Sequence, residues 1–160
     1  MSLGLTLFAA VLAVTPQSVA PVETSPPTLA SATSAAGAAP IGGDAVYKAF
    51  HGEAGIDRIV VDLIRQVQVD PRISDIFKAS DLVRLQTQLS SQLCFLTGGP
   101  CLYAGKTMKE SHKDLGLQDA DLNALVEDLQ NAMDHEGVPF RAQNHLLAKL
   151  APMRKSVVVR

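Results

Sequence analysis

The stretch "KTMKESHKDLG", Lys106–Gly116, decides how this chain is read. It is polar almost throughout, and a single histidine, His112, stands in it between Met108 and Leu115. Wound as a helix of about two turns, the stretch places Met108, His112 and Leu115 on one face at i, i+4 and i+7, so the imidazole points where the apolar side chains point. Taken alone, an inward histidine is more often a satisfied core residue than a ligand. The elements on either side decide between the two.

Upstream, "GIDRIVVDLIRQVQVDPRI" (55–73) sets Ile56, Ile59, Val60, Leu63, Ile64 and Val67 at steps of three and four, one broad apolar face that Pro71 terminates. "ISDIFKAS" (73–80) is a short corner with Ile73, Ile76 and Phe77 turned inward. Ser80 or Asp81 caps the next helix, "DLVRLQTQLSSQLCFLTGGP" (81–100), whose Leu82, Leu85, Leu89, Leu93 and Leu96 form a stripe before Gly98, Gly99 and Pro100 end it. Downstream, Asp119 caps a helix whose inward face is Leu122, Leu125, Val126, Leu129 and Met133, closed by Gly137. Pro139 opens a final helix carrying Leu146, Leu147, Leu150 and Met153, which Pro152 kinks or shortens. No alternating strand pattern of useful length precedes the terminal "SVVVR", so the fold class is all-α.

The 160 residues carry a formal charge of −2, which suits one ordinary domain and gives no sign of a nucleic-acid binder. The first basic residue is Lys48, and the chain divides near residue 43. An apolar run from Leu3 to Val14 is shorter than the roughly 20 residues of a membrane-spanning helix, so no stable membrane span is expected. With "SVA" at Ser18–Ala20 offering a cleavage site, residues 1–20 read as a signal peptide and the product as periplasmic or secreted. The missing Lys or Arg before the run, and Pro21 directly after the cut, keep a cytoplasmic protein with a loose tail as the alternative. Residues 21–43, rich in Pro, Ala and Ser, read as a disordered linker, and residues 44–160 as the domain.

Among four histidines and two cysteines there is no CxxC, HExxH, GxGxxG or P-loop, and the absence of CxxCH removes covalent haem attachment of the c type. His51, His135 and His145 sit among polar neighbours and read as solvated. Cys94 and Cys101 straddle the "GGP" break; in an exported protein they suit a disulfide, in a cytoplasmic one Cys94 is apolar filling.

The order of these elements, with Gly98 and Gly99, then Tyr103 and Gly105, then Met108, His112, and Leu115, Gly116 and Leu117, resembles the truncated 2-on-2 haemoglobins of group 1. The resemblance spans Ala45 to about Val157. It implies a truncated globin-like 2-on-2 helical sandwich holding haem b, with His112 as the proximal iron ligand and its other ring nitrogen donating to the carbonyl of Met108. It implies that Phe77 packs on the porphyrin face, and that Ser80, Arg84, Tyr103 and Lys78 lie at the propionate edge. On the distal side the chain departs from the pattern. The family's phenylalanine-tyrosine pair is matched by Leu63 and Ile64, and the helix positions facing the iron by Leu85 and Leu89, leaving Gln92 as the polar group able to reach the pocket.

Without the tyrosine hydroxyl, bound O2 loses a hydrogen bond of about 1.5–3 kcal/mol, so CO and NO should be favoured relatively. The expected role is reversible binding of O2, CO or NO for transport, storage or sensing, with an electron-donating reductase as protein partner and the oligomeric state open. Two other readings stand beside it: a haem-based redox catalyst acting on peroxide or nitrite, and a haem-free globin-like binding module.

Overall fold

The computed structural model describes residues 26–158. Among these the regular structure is entirely helical: α1 (Leu29–Ala36), α2 (Ala45–Ala49), α3 (Gly52–Val69), α4 (Ser74–Phe77), α5 (Leu82–Leu96), α6 (Met108–Ser111), α7 (Asp119–His135), α8 (Phe140–Leu150), a 3-10 turn (Ala151–Met153) and α9 (Arg154–Val157). No described helix is long and apolar enough to cross a membrane. The signal peptide expected over residues 1–20 lies outside the described residues.

The core is organised by α3, which packs along both α5 and α7, while α8 meets α2 and α5. All six apolar residues that define its face, from Ile56 to Val67, are buried, Ile56, Ile59 and Val60 completely. Each large aliphatic side chain so removed from water contributes about 1.5–3 kcal/mol. The helix stops at Val69, and Asp70 is extended at ψ 112° because Pro71 disfavours a helical residue before it. Ile73 is buried in the corner that follows, with Ile76 and Phe77 half-buried against the core.

Asp81 caps α5 by accepting the Arg84 N–H at 3.0 Å. Its leucine stripe then divides along its length: Leu93 and Leu96 are buried, whereas Leu82, Leu85 and Leu89 are only half-covered. At α7 the cap is one residue earlier than the sequence suggests, because the Gln118 N–H donates to Asp121 Oδ2 at 2.8 Å and Asp119 instead pairs with Arg154. As expected, Pro152 breaks the last helix, so α8 ends at Leu150 and the chain resumes as α9.

The linker reading of residues 21–43 fails over Leu29–Ala36, which form α1. Thr28 Oγ1 accepts the Ser31 N–H at 3.2 Å, Gly37 ends the helix at φ 86°, and Ala32 and Ala36 are fully buried. Composition misled because alanines bury little area by themselves, yet let a helix backbone come close to a surface that is already built, here α5. The segment beyond is also held, by Ile41 N–H donating to the Leu96 carbonyl at 2.9 Å and Tyr47 N–H to that of Thr97 at 3.1 Å.

Candidate functional site

The histidine stretch is a single turn rather than two. Thr107 and Glu110 close a reciprocal cap, the Glu110 N–H donating to Thr107 Oγ1 at 3.2 Å and the Thr107 N–H to Glu110 Oε2 at 3.0 Å. The Thr107 hydroxyl and N–H hold the Glu110 carboxyl below the usual range. The helix then ends at Ser111, and Asp114 turns the chain at φ 64°. Leu115 therefore does not share the inward face of His112; it is 50% exposed, and Leu117 supplies the buried side chain instead. An aspartate tolerates the left-handed conformation better than most residues, which is what allows the helix to stop there.

Within that turn the Met108 carbonyl accepts two hydrogen bonds, from the His112 N–H at 3.2 Å and from the ring Nδ1 at 2.7 Å. A carbonyl can only accept, so Nδ1 carries the proton, and in the neutral ring Nε2 keeps its lone pair. No other described residue hydrogen-bonds this half-buried ring. Nor do the described residues contain any group of three or more His, Cys, Asp or Glu placed to hold a metal.

The face of α5 turned to this segment follows from its contacts. Gln92 is buried, and its amide donates to Met108 Sδ at 3.3 Å and to the Ala36 carbonyl at 3.0 Å. One turn earlier Gln88 reaches Gly105 so closely that a Cβ there would stand 2.2 Å from Gln88 Oε1 and from the Tyr103 hydroxyl. Leu85 and Leu89 occupy the same helix stripe as these two glutamines, so the half-exposed leucines belong to the face that looks toward the His112 segment. Ile64 is buried on α3, which packs along α5.

Gln88 was not among the expected site residues. Its Oε1 is buried without a partner. The signal was present, since it lies three residues after Leu85 and four before Gln92. Two expected roles change. Gln92, foreseen as the polar group free to reach the distal side, has its amide hydrogens engaged by Ala36 and Met108. Tyr103, foreseen at the propionate edge, is buried and donates its hydroxyl to the Lys106 carbonyl at 3.2 Å, holding the turn that leads to α6. Burial raises its phenolic pKa.

Phe77, Lys78 and Ser80 line a small cleft together with Gln68, Ser74 and Leu82. Lys78 pairs with Asp75. Arg84 is exposed at the first turn of α5, and no described carboxylate pairs with its guanidinium. Cys94 and Cys101 form a disulfide, Cα to Cα 5.9 Å, clipping the end of α5 to the loop before Tyr103. The remaining histidines lie at the surface, and two are paired there rather than simply solvated: His51 Nδ1 is 2.9 Å from Glu136 and His135 Nδ1 2.7 Å from Asp62.

The family model described as bacterial-like globin matches residues 45–159. A group 1 truncated hemoglobin of Tetrahymena pyriformis is 29% identical over 113 residues, covering 71% of this chain and 93% of that protein. One from Tetrahymena thermophila is 31% identical over 93 residues, 58% of this chain and 77% of that protein. The crystal structure of the T. pyriformis truncated hemoglobin in the Fe(III) form superposes with a TM-score of 0.69 at 29% identity, covering 72% of this chain and 98% of that one.

Proposed function

This chain belongs to the bacterial-like globin family, as a group 1 truncated globin of 2-on-2 fold that binds haem and a small gaseous ligand, and from that premise we propose that His112 is its proximal iron ligand and that the opposite wall is apolar. The observation that carries this is the bond from His112 Nδ1 to the Met108 carbonyl at 2.7 Å. It fixes the tautomer and leaves Nε2 as the nitrogen able to ligate, the arrangement by which a backbone carbonyl orients a metal-binding histidine.

The surroundings fit haem. Leu85 and Leu89 form a half-exposed apolar face on α5, and Phe77 lies half-buried at the corner. Arg84 and Ser80 are exposed on the same stretch of chain, where a cation and a hydroxyl suit propionate carboxylates. When bound, haem supplies the iron that takes the diatomic ligand. The protein's part is to hold His112 and to exclude water with Ile64, Leu85 and Leu89.

None of those three side chains can donate a hydrogen bond, and the Gln92 amide is engaged elsewhere. Gln88 is then the one amide on this face of α5 whose side chain makes no hydrogen bond to another described residue, and a wall otherwise made of Ile64, Leu85 and Leu89 favours fast exchange of O2 and suits reversible carriage or sensing. An electron-donating reductase is the partner such a role requires. The Cys94–Cys101 pairing supports export, because structural disulfides persist in oxidising compartments.

Absorption spectroscopy of the purified full chain tests the reading. A Soret band, with a five-coordinate ferrous spectrum that disappears in His112→Ala, is expected. A variant that keeps its iron–histidine vibration without His112 would overturn the assignment.

A further inference from the structure

Helix α1 lies outside residues 45–159, the part of the chain that matches the family. It is nevertheless joined to the histidine segment through one side chain, that of Gln92. The Ala36 carbonyl at its last turn accepts from Gln92 Nε2 at 3.0 Å, and the same amide nitrogen reaches Met108 Sδ at 3.3 Å. An amide has two N–H groups, so both bonds can be made at once. Gln92 is 6% exposed, Met108 9% and Ala36 not at all, so this junction is screened from water.

The next residue adds a steric link. Gly37 has φ 86°, and a Cβ there would come within 3.0 Å of Met108 Cγ and of Met153 Sδ. The end of α1 thus rests on two methionines, one in α6 and one in the 3-10 turn before α9, and α6 and α9 themselves pack together. Met108 is the residue whose carbonyl orients the His112 ring.

We propose that α1 is an intramolecular clamp on the proximal side, with Gln92 as the positioning residue that passes its docking through Met108 to His112. With α1 seated, Met108 is held from three directions: Gln92 at its sulfur, Gly37 at its side chain, and the α6 cap at its backbone. With α1 lifted, Gln92 loses the Ala36 acceptor and Met108 loses the packing of Gly37. The turn that aims the Nδ1 hydrogen bond is then free to shift. Haem retention and the strength of the iron–histidine bond become functions of an N-terminal segment that touches neither.

The proposal rests on His112 being the iron ligand, and two variants of the full-length chain test it separately from that assignment. Gln92→Leu removes both bonds while keeping an apolar fill. Ala32→Glu with Ala36→Glu places charges on the buried face of α1 and undocks it without altering any residue of the α5 or α6 faces. The readouts are the iron–histidine stretching band of the ferrous protein, the rate of haem transfer to a trapping apoglobin, and the ring nitrogen shifts of His112 in the apoprotein. Both variants should shift the band and the ring signals and speed haem loss by about tenfold or more, the usual effect of disturbing a group that orients a metal ligand.

Limited proteolysis between residues 26 and 44 reports whether α1 has come away. If the double variant is cleaved there while band, ring shifts and haem loss stay at wild-type values, the clamp is wrong, whatever Gln92→Leu does to thermal stability. If instead His112→Ala keeps the iron–histidine band, the ligand assignment fails first.

Discussion

The Nδ1 of His112 donates to the carbonyl of Met108 at 2.7 Å, and the backbone N–H of His112 shares that acceptor at 3.2 Å. Two bonds from one residue to one oxygen define both the turn and the ring orientation. His112→Gly should therefore lose the five-coordinate spectrum, and added imidazole should restore it, since the α6 cap made by Thr107 and Glu110 does not depend on the ring. Titrating imidazole against the Soret band checks this, and a wild-type spectrum without imidazole would refute it.

On the opposite wall, Ile64 has no hydrogen to donate. Ile64→Tyr introduces a hydroxyl on α3, which packs along α5, and a donor to a partly charged ligand is worth about 1.5–3 kcal/mol. Oxygen release should slow roughly 10- to 150-fold at about 1.4 kcal/mol per decade, with CO release changing much less. Stopped-flow dissociation of both gases measures the ratio; equal changes for the two would mean that no such bond forms.

Asp128 is 6% exposed on α7, with Oδ2 buried and unpartnered. Burial raises its pKa, Asp70 and Glu127 add to the rise, and Arg72 opposes it. Because the folded state holds this proton more tightly than the unfolded chain, stability falls as pH rises above the ordinary aspartate value. Asp128→Asn, which removes the buried charge while keeping the shape, should thus be more stable than wild type at pH 7, with the gap closing toward pH 3. Calorimetry at the two pH values decides it, and a gap independent of pH would be contrary evidence.

Glu136 behaves in the opposite sense. Arg58, and then His51, hold its carboxyl at about 2, tying the end of α7 to the start of α3. The folded-state pKa is depressed, so this contribution is present above the ordinary glutamate value and is lost as pH falls toward about 2. Glu136→Gln should cost about 0.5–1 kcal/mol at pH 7, limited by the exposure of Arg58 and by salt screening, and progressively less as pH falls through about 2. Denaturant melts across that range test the sign.

Reduction of Cys94–Cys101 opens a short loop whose closure is worth about 2–3 kcal/mol in the chain-entropy model. Reduced protein, or Cys101→Ser, should melt several degrees lower. A thiol count by mass shift after alkylation, with and without reductant, confirms that the pair is formed in the purified protein.

Periodicity made most of the fold legible. The face of α3 is the one its sequence spacing predicts, as are the stop at Pro71, the Asp81 cap and the break at Pro152, because each depends on residues within a turn or two. The Met108–His112 pair was legible for the same reason. Leu115 was not: helical phase assumes that the helix continues, whereas α6 ends at Ser111 and Asp114 then turns the chain.

By itself the sequence determined the order of the helices from α3 onward, the apolar α3 face, the histidine at i+4 from Met108 and an isoleucine at position 64, all of which are local patterns or identities. Only the tertiary structure decided that Leu29–Ala36 is a docked helix, that Gln92 and Tyr103 spend their donors on Ala36, Met108 and Lys106, and that Gln88 faces Gly105. Those facts are hydrogen bonds and close approaches between segments far apart in the chain, and a donor's partner is fixed by which backbone atoms packing brings within 3 Å, not by its neighbours in sequence.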